Sequence, residues 1–136
     1  LARAQTMMRA LKLDAVLLTT ETNVRYFSGY FTQFWQSPTR PWFLILPLTG
    51  KPIAVIPTIG VVGMSNTWVE DIRAWPSPFP EDDGVSLLSQ TLAELPKRFG
   101  RLGMTLGRET HLRMPQQQVQ SLYASNHLSN CSGLDE

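Results

Sequence analysis

Asp14-Ala15-Val16-Leu17-Leu18-Thr19-Thr20-Glu21-Thr22-Asn23-Val24-Arg25-Tyr26-Phe27-Ser28-Gly29-Tyr30 changes its hydrophobic period midway. Residues 15–18 form a short, unbroken apolar run bounded by polar residues, the pattern of a strand buried on both faces. Residues 21–29 then space Val24 and Phe27 as a helix would, with Thr20 or Thr22 available as N-cap and Gly29 as the stop. A buried strand followed at once by a helix opens an α/β layer.

Working outward, residues 3–13 place Ala4, Met7, Met8 and Leu11 at helical spacing, which predicts an amphipathic helix with its methionines packed inward. Residues 31–41 carry too many aromatics and prolines for a regular element and read as a loop. Residues 42–47 and 53–57 are strands, joined by a tight turn at 48–52 into a hairpin. Residues 58–66 suggest a helix, although Gly60 and Gly63 lower its propensity. Residues 68–75 alternate imperfectly and predict a strand with one solvated side, followed by a Pro-rich surface loop at 76–84. Val85, Leu88, Leu92 and Leu95 form a helical stripe behind Asp83 as N-cap, and residues 102–106 supply a last strand. Pro115 suits the first turn of a closing helix with Val119, Leu122 and Tyr123 on one face. The order α, β, α, β, β, α, β, α, β, α predicts one three-layer α/β/α domain with a mixed, mostly parallel five-stranded sheet.

Composition narrows the function. With 136 residues, 43% hydrophobic and 17% charged, the chain has the size and apolar content of one folded domain. A net charge of +1 leaves no electrostatic footprint for nucleic acid or an anionic membrane. The most apolar stretch, 41–64, is too broken by proline and glycine to span a bilayer, and no secretion signal opens the chain. The one cysteine, Cys131, excludes an internal disulfide and fits a reducing cytoplasm. A start at Leu1 and a stop at Gly133-Leu134-Asp135-Glu136 read as ends cut from something longer.

Catalytic residues are scarce. His111 and His127 lie far apart, with no paired-ligand motif to join them into a metal site. Glu70-Asp71 and Glu81-Asp82-Asp83 are adjacent carboxylates rather than a facing acid/base pair. Cys131 has no identifiable base, and neither a nucleophile elbow nor a phosphate-binding glycine loop occurs. What remains is Phe31, Phe34, Trp35 and Trp42 gathered around Arg40. Such a loop either binds a ligand, with the guanidinium gripping a carboxylate, or covers the end of the sheet with Arg40 in solvent.

The stretch from Asp14 through the Asn23-to-Tyr30 segment, with Leu106-Gly107-Arg108-Glu109 near the end, resembles the N-terminal domain of the creatinase and prolidase family, the pita-bread metallopeptidases. The resemblance implies a three-layer domain with a ribonuclease-H-like sheet, normally followed by a larger catalytic domain. That second domain, absent from this chain, would hold a divalent metal pair (Mn, Zn or Co) on two aspartates, a histidine and two glutamates. It also implies a homodimer in which this domain reaches over the partner's active site. An arginine matching Arg40 contacts the substrate carboxylate in creatinase-like members. Where their pattern has an aromatic near that arginine this loop has Gln36-Ser37-Pro38-Thr39, which leaves Phe34, Trp35 or Trp42 as candidates for the wall.

The function implied is that of a non-catalytic domain of a metallohydrolase, an Xaa-Pro dipeptidase or related C–N hydrolase acting on a small peptide or amino-acid-like substrate. In it Arg40, Phe34, Trp35 and Trp42 are the substrate-binding candidates. Relatives cleave X-Pro peptides, creatine, ectoine-type compounds or sulfonium esters. The alternative is a free-standing interaction module that has lost the catalytic half and binds a partner protein through the aromatic loop.

Overall fold

The structure, a computed structural model, describes residues 1–37, 41–107 and 112–126. In chain order the elements are α1 (Ala2–Leu11), β1 (Ala15–Leu18), α2 (Glu21–Ser28), a 3-10 turn at Gln33–Gln36, β2 (Phe43–Pro47) and β3 (Ile53–Pro57). A second 3-10 turn at Thr58–Gly60 runs into α3 (Val61–Ser65), followed by β4 (Asp71–Trp75), α4 (Val85–Glu94), β5 (Leu102–Met104) and α5 (Gln116–Ser125). The predicted succession of helices and strands is thus the observed one.

The strands lie in the order β4-β3-β2-β1-β5. β2 is antiparallel to both neighbours, whereas β3 pairs with β4, and β1 with β5, in parallel. Four strands therefore run one way and only β2 runs against them, which is what a single hairpin inside an alternating α/β order produces. That hairpin pairs Phe43 with Val55 and Ile45 with Ile53.

Period-two alternation sorts the strand residues into two cores. Val16, Leu18, Leu44, Leu46, Ala54 and Ile56 face Met8 of α1, Val24 of α2 and Met64 of α3. Ala15, Leu17, Phe43, Ile45, Ile53 and Val55 face the other way, against Leu88 and Leu92 of α4 and Leu122 of α5. The three layers follow directly, with α1, α2 and α3 on one face and α4 and α5 on the other. Because β1, β2 and β3 are buried along their whole length, they read as unbroken apolar runs.

Asp14 pins the start of β1 from outside the ladder. Its buried carboxylate accepts backbone N–H groups of Arg98, Phe99, Gly100 and Arg101 at 2.6–3.2 Å, closing the turn that leads into β5. Four convergent N–H donors make a concave cradle that suits an anion, here supplied by the chain itself. β4 has the expected solvated side, where Arg73 pairs with Asp71 at 3.2 Å and Glu94 at 2.6 Å.

Some expectations shift. In α1 only Met8 is buried, while Met7 and Leu11 stay exposed. The last strand stops at Met104 rather than 106. Arg108, Glu109, His111, His127 and Cys131 lie outside the described residues.

Candidate functional site

The end of α2 is built by three consecutive residues. Ser28 Oγ donates to Val24 O at 2.6 Å and accepts from the Tyr30 amide at 2.9 Å, turning the chain out of the helix. Gly29 follows in the left-handed region, φ 77°, with its N–H returning to Arg25 O. This geometry drives the Tyr30 ring into the core, where it meets Trp42 at 5.4 Å between centroids. Burial pushes the Tyr30 phenol above the ordinary tyrosine range, with a hydrogen bond to Thr32 acting the other way.

Trp35 extends the cluster, its ring 6.0 Å from that of Trp42. The 3-10 turn carrying it is capped by Thr32, whose hydroxyl accepts the Phe34 amide at 3.2 Å. Two glycines seat the aromatics against α3. A Cβ at Gly60 would fall within the Trp42 ring, and one at Gly63 would sit 2.6 Å from the Tyr30 ring. The glycines that weaken residues 58–66 as a helix are therefore what lets two aromatic rings approach its backbone.

The four residues singled out from the sequence have separate placements. Trp42 is 0% exposed and Trp35 5%, so both rings are held in this domain's own core. Among the described residues their indole N–H groups are buried without a hydrogen-bond partner, so the rings are held largely by packing. Phe34 packs partly buried against the same cluster. Arg40 lies outside the described residues, three positions beyond Ser37. Core burial, which the composition of the loop argues against for the whole set, does account for Trp35 and Trp42. It does not account for Phe31, which is 62% exposed under the Arg25 guanidinium at 4.8 Å.

The outer face of α2 completes the region. Glu21, Thr22, Arg25 and Tyr26 line an open depression of about 530 Å³. Tyr26 is 81% exposed, and its ring meets Phe27 edge-on at 5.0 Å. Trp68, itself exposed, donates its indole N–H to Phe27 O at 3.0 Å and ties the end of α2 to the segment before β4. Charged, hydrogen-bonding and aromatic groups thus share one surface over a rigid helix, an arrangement suited to binding.

Nothing in the sequence marks Arg113, yet it is the most engaged cation near the loop. Its Nη1 donates to Trp35 O at 2.9 Å and its Nη2 to Ser37 O, while the guanidinium lies 5.6 Å from the Trp35 ring centroid. Burial lowers its pKa, partly offset by the charge of Glu21. Its partners are backbone carbonyls 76 and 78 positions away, which no local pattern could announce.

Among the described residues no group of three or more His, Cys, Asp or Glu side chains could hold a metal ion. No helix among them is long and apolar enough to cross a membrane. On this region the described residues assemble no acid/base pair or activated nucleophile.

A family model described as the creatinase/prolidase N-terminal domain matches residues 1–135. A proline dipeptidase structure from Streptococcus pneumoniae superposes with a TM-score of 0.72 at 16% identity, covering 98% of this chain and 89% of that one. Dipeptidase PepE from Mycobacterium ulcerans gives 0.63 at 21% identity, covering 93% of this chain and 31% of that one. The prolidase from Pyrococcus horikoshii gives 0.61 at 14% identity, with 91% and 29% covered. The chain therefore spans about a third of the length of these two enzymes, and at such identities the likeness is one of fold. Among curated proteins none matches the sequence.

Proposed function

This chain belongs to the creatinase/prolidase N-terminal domain family, and on that premise we propose that it serves as the non-catalytic part of a metallohydrolase, an Xaa-Pro dipeptidase or related C–N hydrolase. The catalytic domain, carrying a divalent metal pair such as Mn, Zn or Co, follows in the parent protein, which acts as a cytoplasmic homodimer. When bound in that domain, such a pair would supply the activated water. This domain supplies dimer contacts and one wall of the substrate pocket, with Arg40 holding the carboxylate of a small peptide or amino-acid-like substrate through charge-assisted hydrogen bonds. Of the three aromatic candidates Phe34 is the one partly exposed, packed against the cluster that buries Trp35 and Trp42.

The observation that carries this reading is the loop itself. Its two ends, Trp35 and Trp42, are anchored in the core, and the sequence places Arg40 between those anchors. Sequencing the gene beyond Glu136 is the first test, and a downstream set of two aspartates, a histidine and two glutamates is expected. Absence of that set would leave the second reading, a free-standing interaction module, which the exposure of Tyr26 and Phe31 on one face favours. In the parent enzyme Arg40→Ala should reduce kcat/KM by the equivalent of about 1.5–3 kcal/mol. Unchanged kinetics would return Arg40 to solvent.

A further inference from the structure

Arg113 sits in the segment between β5 and α5, and its two neighbours point to a different core from its own side chain. Leu112 and Met114 pack against the cluster shared with α4 and α5. The guanidinium reaches the other way, onto Trp35, which belongs to the cluster shared with α1, α2 and α3. Arg113 has φ 58°, a left-handed conformation that an arginine does not adopt without cost, and this backbone turn aims 113 away from 112 and 114.

We propose that Arg113 is the positioning residue of the aromatic loop: a two-pronged latch that links the two cores and fixes the carbonyls of Trp35 and Ser37. The fork geometry of a guanidinium suits two carbonyls two residues apart, and a lysine ammonium could not span both in the same plane. The cation also meets the Trp35 ring, so the loop's anchor and its latch are one unit. The charge of Glu21, the first residue of α2 and one of those lining the depression on that helix, also favours the charged guanidinium. Held this way, residues 35–37 cannot pivot, and the backbone leading toward Arg40 starts from a fixed point.

Amide hydrogen exchange on the 136-residue chain tests the latch directly. The reporters are the Phe34 and Ser37 amides, bonded to Thr32 Oγ1 and Phe34 O. Arg113→Met should accelerate exchange at both by tenfold or more while β1, β2 and β3 keep their protection, and Arg113→Lys should fall between. Should Arg113→Met fail to fold, Arg113→Lys alone carries the test and must show a smaller acceleration confined to the same two amides. Unchanged exchange at the two amides, or acceleration spread equally over the sheet, would overturn the latch.

A second arm rests on the reading of Arg40 as a substrate contact and uses the full-length protein. There Arg113→Lys should raise KM severalfold with kcat nearly constant, and the effect should vanish in an Arg40→Ala background. Local acceleration without any change in KM would sink the link to Arg40 while leaving the latch intact, so the two ideas fail separately.

Discussion

Tyr30, Trp35 and Trp42 on one side, and Tyr26 and Phe31 on the other, come from the same short stretch of chain and have opposite fates. The first three fill the core between the sheet and α3, with Trp42 wholly buried. The other two stand in solvent over α2 and the loop that follows it. Residue type does not separate them, since each set has a tyrosine and another large aromatic. What separates them is whether a distant part of the chain meets the ring: Gly60 makes room for Trp42, Gly63 for Tyr30, and Arg113 closes over Trp35. An aromatic with a seat is part of the scaffold, and an aromatic without one is available to a ligand or partner.

The sharpest way to break this contrast is Trp42→Ala, which should cost about 3–5 kcal/mol in urea unfolding because a large ring leaves a cavity the sheet cannot collapse. A loss below about 1 kcal/mol would mean that the inner cluster is not structural. Next comes the seat itself. Gly60→Ala should destabilise by about 1–3 kcal/mol, since Trp42 must move or α3 must lift. The same variant in a Trp42→Leu background should cost much less, and additivity of the two would contradict a shared seat. Tyr26→Ala should stay within about 0.5 kcal/mol of the parent in thermal unfolding, and a larger loss would place Tyr26 with the inner set.

The smallest effect is set by pH. Burial raises the Tyr30 pKa in the folded chain, so between the ordinary tyrosine range near pH 10 and the raised value the folded state holds the proton that the unfolded chain has lost. Stability from this group is therefore present below about pH 10 and falls as the pH rises beyond it. Tyr30→Phe should lose less stability than the parent between pH 9 and pH 11, as read from paired urea midpoints. Equal losses would mean that Tyr30 ionises as freely as it does in the unfolded chain.

Asp14 and Arg113 make the same point with polar groups. The aspartate before β1 is visible in the sequence as part of a family-like motif, but its four N–H donors lie 84–87 residues downstream. Arg113 resembles any other arginine until its carbonyl partners are seen. Both act through long-range hydrogen bonds, and no residue spacing encodes those.

By itself the sequence determined the order of elements, the hairpin between β2 and β3, the helix stop at Gly29 and the family, because each rests on local periodicity, on turn chemistry or on a contiguous motif. Tertiary structure alone decided which aromatics of the loop are spent on the core. It likewise made Gly60 and Gly63 seats rather than helix defects, and let residues 112–114 reach both cores at once. The physical reason is the range of the interactions. Backbone periodicity acts over a few residues and is written in neighbours, whereas burial and hydrogen-bond satisfaction depend on surfaces brought together only when all three layers close.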